Sequence, residues 1–326
     1  MRALRVESLS DNLSGVRLAD IPAPTRQAGE VLVRVRAASL NFPDLLMTQG
    51  KYQFKPEPPF TSGLEFAGEV IEADADSDVA PGDRVMGGNK TGAFAEMVSV
   101  PARALSPSPD ISDAQAAAMG AAYTTGYTGL VELCGLKPGQ WVLVTGASGG
   151  VGLAACDLAK ALGAKVIAAT GSAAKREAIL RACSAIDEVI VSEGRFREAV
   201  SDLTGGALCD VVFDVVGGDM FDECTRCVAF AGKLVVVGFT SGRIADIATN
   251  IPLIKGFSVV GLRAGEYARR LPERGAAISA AVHDLANAGK ITPAIDRILP
   301  LSRWREGFEA MQSRELVGKL VFEPGS

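Results

Sequence analysis

The run Gly146-Ala147-Ser148-Gly149-Gly150-Val151-Gly152 is the part of this chain best suited to chemistry. An apolar stretch that reads as a strand, residues 141–145 (WVLVT), leads into it, and residues 150–162 read as a helix. Ala147, Gly149 and Gly152 reproduce the G-x-G-x-x-G spacing with a small residue in the first place. In such a turn the first position allows the tight bend, the second lets a pyrophosphate approach the backbone, and the third lets helix and strand pack closely. The helix start adds free N–H groups and the positive end of its dipole. Gly149, Gly150 and Val151 are therefore the expected pyrophosphate contacts. The end of the next strand chooses between dinucleotides. A carboxylate about 20 residues on holds the ribose hydroxyls of NAD. Here the segment is Thr170-Gly171-Ser172-Ala173-Ala174-Lys175-Arg176, and the first acid is Glu177. A hydroxyl at Ser172 and cations at Lys175 and Arg176 suit a 2′-phosphate, so the expected cofactor is NADPH. A solvated helix start is the plainer role open to Lys175 and Arg176.

Other reactive residues are sparse. His283 is the single histidine and falls inside an expected helix, so no Ser–His pair is visible. A catalytic zinc needs three protein ligands, yet residues 1–110 contain neither Cys nor His, and no metal is expected. Cys224-x-x-Cys227 could form a redox or metal pair. Both cysteines share a helical stripe with Met220, Phe221 and Val228, which makes core packing the simpler role.

The elements that position these residues divide the 326-residue chain in two. Residues 1 to about 110 are broken by prolines into short strand-like pieces. Residues 30–37 (EVLVRVRA) alternate, with Val31, Val33 and Val35 on one face and Arg34 and Arg36 on the other. An antiparallel, barrel-like β domain follows from this texture. From about residue 112 an Ala-rich helix leads into repeated strand and helix patterns, with strands at 141–145, 165–169, 187–191, 210–215, 233–238 and 257–262. Continuous apolar strands separated by helices imply an α/β, Rossmann-type, doubly wound parallel sheet. Two further helices, 275–288 and 303–312, and a strand at 318–322 form a tail expected to return to the first domain. The net charge of −5 and the lack of a basic run argue against nucleic acid as a partner. Residues 1–20 carry charges throughout, no long apolar segment suggests a membrane span, and six scattered cysteines fit reduced thiols in a cytoplasmic setting.

Taken together, the chain resembles the quinone oxidoreductase-like group of the zinc-free medium-chain dehydrogenases/reductases. The residues that carry the resemblance are 41–47 (NFPDLLM), 50–56 (GKYQFKP), 63–68 (GLEFAG), 81–85 (PGDRV), the turn at 146–152, 214–218 (DVVGG) and 267–270 (YARR). The resemblance implies a GroES-like β-barrel catalytic domain over residues 1–118, completed by 264–326. It also implies a Rossmann domain over 119–263 and a homodimer joined through the edge strand 257–262. In zinc-dependent relatives a His–Glu pair follows the first glycine of the 63–68 segment; Leu64 occupies the His place here.

Carried over residue by residue, the resemblance places Asn41 near the nicotinamide and Tyr52 along the substrate cleft, both as catalytic candidates. Thr128 would contact the nicotinamide end, Ser172 and Lys175 the 2′-phosphate, and Gly238, Phe239 and Thr240 the ribose and nicotinamide. Lys319 would lie near the cofactor. Simpler roles stay open: Asn41 as a cap ahead of Pro43, Tyr52 as loop packing, Thr128 bonding its own helix backbone, and Lys319 as a surface cation. Two places depart from the family pattern. Ser192 stands where many relatives carry a Tyr over the adenosine phosphate, so a hydroxyl contact would replace aromatic cover. Arg263-Ala264 replaces an aromatic pair, and a cation there would favour an anionic acceptor.

The expected reaction is hydride transfer from NADPH to a small electrophilic acceptor, a quinone or conjugated carbonyl, whose delocalised charge needs little acid catalysis. Asn41 would hydrogen-bond the acceptor oxygen or the nicotinamide ribose, and Tyr52 would donate a hydrogen bond or proton. Two alternatives are carried: an enoyl-thioester reductase with a basic mouth formed by Arg263, Arg269 and Arg270, and an NADPH-binding sensor with little turnover.

Overall fold

A computed structural model describes residues 1–192 and 194–326. The chain divides into two compact units, Met1–Gly120 with Ile295–Ser326, and Ala121–Ala294. The first contains β1 (Arg2–Val6), β2 (Val16–Asp20), β3 (Glu30–Ser39), α1 (Phe42–Thr48), β4 (Phe60–Thr61), β5 (Glu65–Glu72), β6 (Arg84–Gly88), β7 (Met97–Pro101) and β8 (Leu105–Pro107). Helix α2 (Asp113–Tyr127) carries the chain onward and ends in a π-helical turn, Thr128–Leu133.

The second unit alternates strand and helix: β9 (Trp141–Thr145), α3 (Gly150–Ala161), β10 (Lys165–Thr170), α4 (Arg176–Ala182), β11 (Glu188–Val191), α5 (Arg197–Leu203) and β12 (Cys209–Asp214). It continues with α6 (Gly218–Cys224), β13 (Val228–Val236), α7 (Asn250–Lys255), β14 (Ser258–Gly261), α8 (Ala264–Arg270) and α9 (Pro272–Asn287). The tail then adds β15 (Ile295–Pro300), α10 (Trp304–Gln312) and β16 (Lys319–Glu323) to the first unit.

In the first unit the strand order is β15-β16-β3-β5-β6-β8, with β7 also on β3. The alternation in β3 is realised: Val31, Val33 and Val35 are buried while Arg34 and Arg36 are exposed. Strand β3 is central, antiparallel to β5 on one side and to β16 on the other. The tail contributes core as well as edge. Phe322 of β16 meets Phe94 edge-on at 5.2 Å between centroids and stacks with Phe308 of α10 at 6.4 Å.

In the second unit the order among the described residues is β11-β10-β9-β12-β13-β14, all parallel. This is the doubly wound order in which the chain reverses direction between the first and fourth strands, and ligands bind beyond the carboxyl ends there. The core strands read as apolar runs because both faces are covered: Val142, Leu143, Val144, Val166 and Ile167 are fully buried.

The return to the first unit starts at Ile295. The resemblance implies a return from residue 264, but hydrogen bonding keeps the intervening helices with the second unit. The Thr292 N–H donates to the Asp157 carboxylate of α3 at 2.8 Å, and the Tyr267 phenol donates to Glu132 at 3.1 Å.

Candidate functional site

The turn after β9 has the geometry that an anion needs. Gly146 adopts φ +58°, a left-handed conformation that glycine takes without the usual steric cost. A Cβ on Gly152 would lie 2.4 Å from the Gly146 carbonyl oxygen, so only glycine lets α3 start this close to the strand. The Gly149 N–H donates to Gly146 O at 2.9 Å, and the first N–H of the α3 ladder, from Leu153, donates to Gly149 O. The amides of Gly150, Val151 and Gly152 thus open a three-turn helix with no ladder acceptor of their own. Such amides at a helix start can hold a pyrophosphate.

The ends of β10 and β11 lie beside each other in the sheet, Thr170 opposite Val191. Ser172 follows β10; its N–H meets the Thr170 hydroxyl at 3.4 Å, and its carbonyl accepts the Lys175 N–H at 3.1 Å. Lys175 is half-buried, whereas Arg176 leans toward Glu188, 3.7 Å away. Ser192 donates its N–H to the Thr170 carbonyl at 2.8 Å, and its hydroxyl is buried without a hydrogen-bond partner among the described residues. A hydroxyl left unpaired is costly unless something else supplies its partner. Two serines and a lysine are thereby gathered at the carboxyl ends of neighbouring strands, with no acid among residues 170–176.

Past β13, Gly238 packs against the carbonyl of Val215: a Cβ there would meet that oxygen at 3.2 Å. The Thr240 hydroxyl donates to the same carbonyl at 3.2 Å, and Phe239 is exposed. Thr128 is buried and its hydroxyl donates to the Thr124 carbonyl at 2.6 Å, so it bonds its own helix backbone and retains only its lone pairs for a ligand.

In the first unit, strand pairing assembles a buried polar cluster. Register sets Ser39 of β3 opposite Glu65 of β5 and Val321 of β16. Asn41, just beyond β3, therefore meets Glu65 at the start of β5 and Lys319 at the start of β16. The Lys319 ammonium donates to Asn41 Oδ1 at 2.6 Å, Glu65 Oε1 at 2.9 Å and the Leu40 carbonyl at 3.2 Å. The Asn41 amide nitrogen donates to Glu65 Oε1 at 2.8 Å and the Ser39 carbonyl at 3.1 Å. An ammonium only donates and a carboxylate only accepts, which fixes which way the amide faces. Lys319 is 7% exposed, so it is no surface cation.

This saturation removes one expected role. Both N–H groups of Asn41 and all three of Lys319 are used inside the cluster, so neither side chain has a donor left for an acceptor oxygen. What remains is one lone pair on Asn41 Oδ1, suited to a hydroxyl. Asp44, in the first turn of α1, joins the cluster by accepting the Asn41 N–H at 2.9 Å; its other oxygen is buried without a partner among the described residues. Burial raises its pKa to about 7, against the Asn41 N–H bond and Lys319, which lower it, and with Glu65, which raises it. Tyr52 packs partly buried against the core of this unit, and its hydroxyl has no partner among the described residues, which leaves it free to donate.

The remaining candidates behave as packing. Cys224 and Cys227 are fully buried in the core of the second unit, and burial pushes the Cys227 thiol up to about 12. No group of three or more His, Cys, Asp and Glu among the described residues is placed to hold a metal ion. His283 is half-buried in α9, and desolvation lowers its pKa. Arg269 and Arg270 both pair with Glu266, at 2.5 and 2.7 Å. Four residues of consequence were not singled out in the sequence: Glu65, Asp44, Thr145 and Asp214. Glu65, Asp44 and Asp214 stand within the segments GLEFAG, NFPDLLM and DVVGG, and the signal that could have found them is an acid flanked by apolar residues.

The barrel-like unit and the doubly wound unit with its phosphate turn define a two-domain dinucleotide-dependent oxidoreductase. Residues 27–110 match the alcohol dehydrogenase GroES-like domain, and residues 150–280 match the family described as zinc-binding dehydrogenase. The quinone oxidoreductase-like protein 2 homolog of Nematostella vectensis is 37% identical over 90% of this chain and 81% of its own. Among solved structures, a probable oxidoreductase from Mycobacterium abscessus superposes with a TM-score of 0.90 at 36% identity, covering 99% of each chain. Quinone oxidoreductase from Escherichia coli, solved in complex with NADPH, superposes with a TM-score of 0.89 at 28% identity, covering 99% of this chain and 100% of that one. The chain belongs to the medium-chain dehydrogenase/reductase superfamily, in its quinone oxidoreductase-like group. The zinc in the family description does not fit the residues present. Leu64 cannot ligate, and Glu65 is engaged by an ammonium and an amide.

Proposed function

We propose that this protein is a metal-independent NADPH oxidoreductase that reduces quinones or conjugated carbonyls by hydride transfer. The observation that carries the reading is the grouping of Ser172, Lys175 and the unpaired Ser192 hydroxyl at the carboxyl ends of β10 and β11, with no acid between residues 170 and 176. A 2′-phosphate would be bonded there, whereas a carboxylate would repel it. Gly149, Gly150 and Val151 would hold the pyrophosphate, with Thr128, Gly238, Phe239 and Thr240 as further cofactor contacts. NADPH when bound supplies the hydride.

The chain's own residues then position and protonate. The Tyr52 hydroxyl donates to the acceptor oxygen as negative charge reaches it. Hydride plus that proton converts a quinone into the hydroquinone, and the phenol is reprotonated from water. Asn41, held by Glu65 and Lys319, offers Oδ1 to a hydroxyl of the bound reactants. With few donors available, an acceptor that delocalises its charge is favoured over a simple ketone. The thioester alternative loses support from the structure, because Glu266 neutralises part of the charge on Arg269 and Arg270. Arg263 is exposed, without a side-chain partner among the described residues, and would favour an anionic group on the acceptor.

The reading extends to a homodimer. Strand β14 is an edge strand of its sheet. In the same unit, Phe230, Leu253 and Ile254 are 84%, 81% and 75% exposed. An unpaired edge with exposed apolar side chains invites strand addition, and a second copy would pair it. No helix among the described residues is long and apolar enough to cross a membrane, and six unpaired cysteines support a reducing, cytoplasmic setting.

The test follows NADPH and NADH absorbance in parallel against a benzoquinone, a naphthoquinone, an alkenal and a crotonyl thioester. NADPH-selective turnover of a quinone or alkenal is expected. Preference for NADH would overturn the reading of Ser172 and Lys175. Tight NADPH binding without turnover would make the protein a sensor.

A further inference from the structure

Two fully buried polar side chains with no part in hydride transfer end the two central strands of the parallel sheet. Thr145 is the last residue of β9, directly before Gly146, and Asp214 is the last residue of β12. The Thr145 hydroxyl donates to Asp214 Oδ1 at 2.5 Å and accepts the Val215 N–H at 3.2 Å. The same carboxylate oxygen accepts the N–H groups of Val216 at 3.0 Å and Gly217 at 3.2 Å, and Oδ2 accepts Gly217 again at 3.1 Å. Burial raises the Asp214 pKa, and these donors act against it. A carboxylate placed there is costly unless it is fully bonded, and it gathers donors from both strand ends.

The consequence lies in what the loop does next. With its amides turned inward, residues 215–216 present their carbonyls outward. Val215 O accepts the Thr240 N–H and hydroxyl, and Val216 O accepts the Ser241 N–H. The Val215 and Val216 side chains also close on the phosphate turn: a Cβ on Gly146 would meet them at 2.6 and 3.1 Å. Three segments are thereby fixed through one carboxylate: the turn after β9, the loop after β12, and the loop after β13. All are rich in glycine, and Gly146, Gly217 and Gly218 hold positive φ. Unlatched glycine segments have more conformational freedom to lose when a ligand orders them.

We infer that Thr145 and Asp214 are positioning residues that latch the three cofactor-facing segments into binding geometry before NADPH arrives. The inference rests on NADPH as the cofactor. Preorganisation raises affinity by removing the ordering cost from the binding step, so loss of the latch is read in cofactor binding more than in the chemical step.

The experiment compares Thr145→Val, which keeps shape and loses the hydroxyl, with Thr145→Ser, which keeps the hydroxyl. NADPH binding is measured by calorimetry, steady-state kinetics give KM for NADPH and kcat, and thermal unfolding reports the fold. Thr145→Val is expected to raise Kd about tenfold, the factor equivalent to ~1.4 kcal/mol, with a more unfavourable binding entropy. KM for NADPH should change more than kcat, and Thr145→Ser should restore binding. Folded Thr145→Val that binds NADPH like the wild type overturns the latch, as does a loss confined to kcat. If Thr145→Val does not fold, Asp214→Asn, which keeps one acceptor oxygen, is measured with the same expectation and the same refuting results. Failure of the wild type itself to bind NADPH removes the cofactor reading instead, and the latch with it.

Discussion

Replacing Asp44 with Asn tests the buried cluster through the pH dependence of stability. The Asp44 pKa is raised from 3.8 to about 7 by burial. Between these values the folded protein holds a proton that the unfolded chain has released. Stability therefore falls as pH rises through that window, and the contribution is level below about pH 4 and above about pH 7. A shift of roughly three units corresponds to an upper bound of about 4 kcal/mol, at about 1.4 kcal/mol per unit. With Asp44 ionised, the cluster holds two carboxylates, Asp44 and Glu65, against one ammonium, Lys319; with Asp44 protonated, the charges balance. Asn is neutral throughout and keeps an acceptor for the Asn41 N–H, so the variant lacks this slope. Its new N–H groups add an unfavourable term of about 1–3 kcal/mol if unpaired, but that term does not vary with pH. The assay is urea unfolding at pH 5, 6, 7 and 8 in a Trp141→Phe background, where Trp304 reports the unit that contains Asp44. The free-energy difference, variant minus parent, should climb by up to about 2.6 kcal/mol from pH 5 to pH 8, since only the two units between pH 5 and pH 7 of the window are crossed. Other titrating groups are common to both proteins and cancel. A difference that stays constant across this range would refute the raised pKa and the charge imbalance behind it.

Three further outcomes test the site and the assembly. Tyr52→Phe should lower kcat with a quinone by roughly 10- to 100-fold, at or below the lower end of the range for a general acid, while KM for NADPH stays level; an unchanged kcat would leave Tyr52 as packing. Lys175→Ala should raise KM for NADPH about tenfold, in line with the loss of a charge-assisted contact, and leave KM for NADH unaltered. Equal effects on both cofactors would detach Lys175 from the 2′-phosphate. Leu253→Glu should shift the protein from dimer to monomer in sedimentation velocity, because it sets a charge on the exposed apolar surface of the unit that β14 edges; a wild-type monomer, or a dimer indifferent to the change, would sink the edge-pairing model.

The parallel unit was legible because its signals are local. Five-residue apolar strands, the glycine spacing at 146–152 and the absent acid after β10 each lie within a short window, and the observed sheet order follows from the repeat. The tail boundary was less legible, since the contacts that tie this stretch to the second unit, Tyr267 of α8 and Arg274 of α9 to Glu132 and Thr292 beyond α9 to Asp157, join residues far apart in the chain. The chemistry of the first unit was hidden for a related reason. Asn41, Glu65 and Lys319 are separated by 24 and 254 residues along the chain, and only the pairing of β16 and β5 with β3 joins them. Sequence alone presents Asn41 as an amide free to donate and Lys319 as a free cation. Assembly engages both: each spends its side-chain donors on a neighbour, which leaves Lys319 no surface cation and Asn41 an acceptor only. The polar residue types in this unit thus overstate the donors available to a substrate. A site this poor in donors is suited to acceptors that carry their own means of dispersing charge, which is the physical reason to begin the search for a substrate among quinones and conjugated carbonyls.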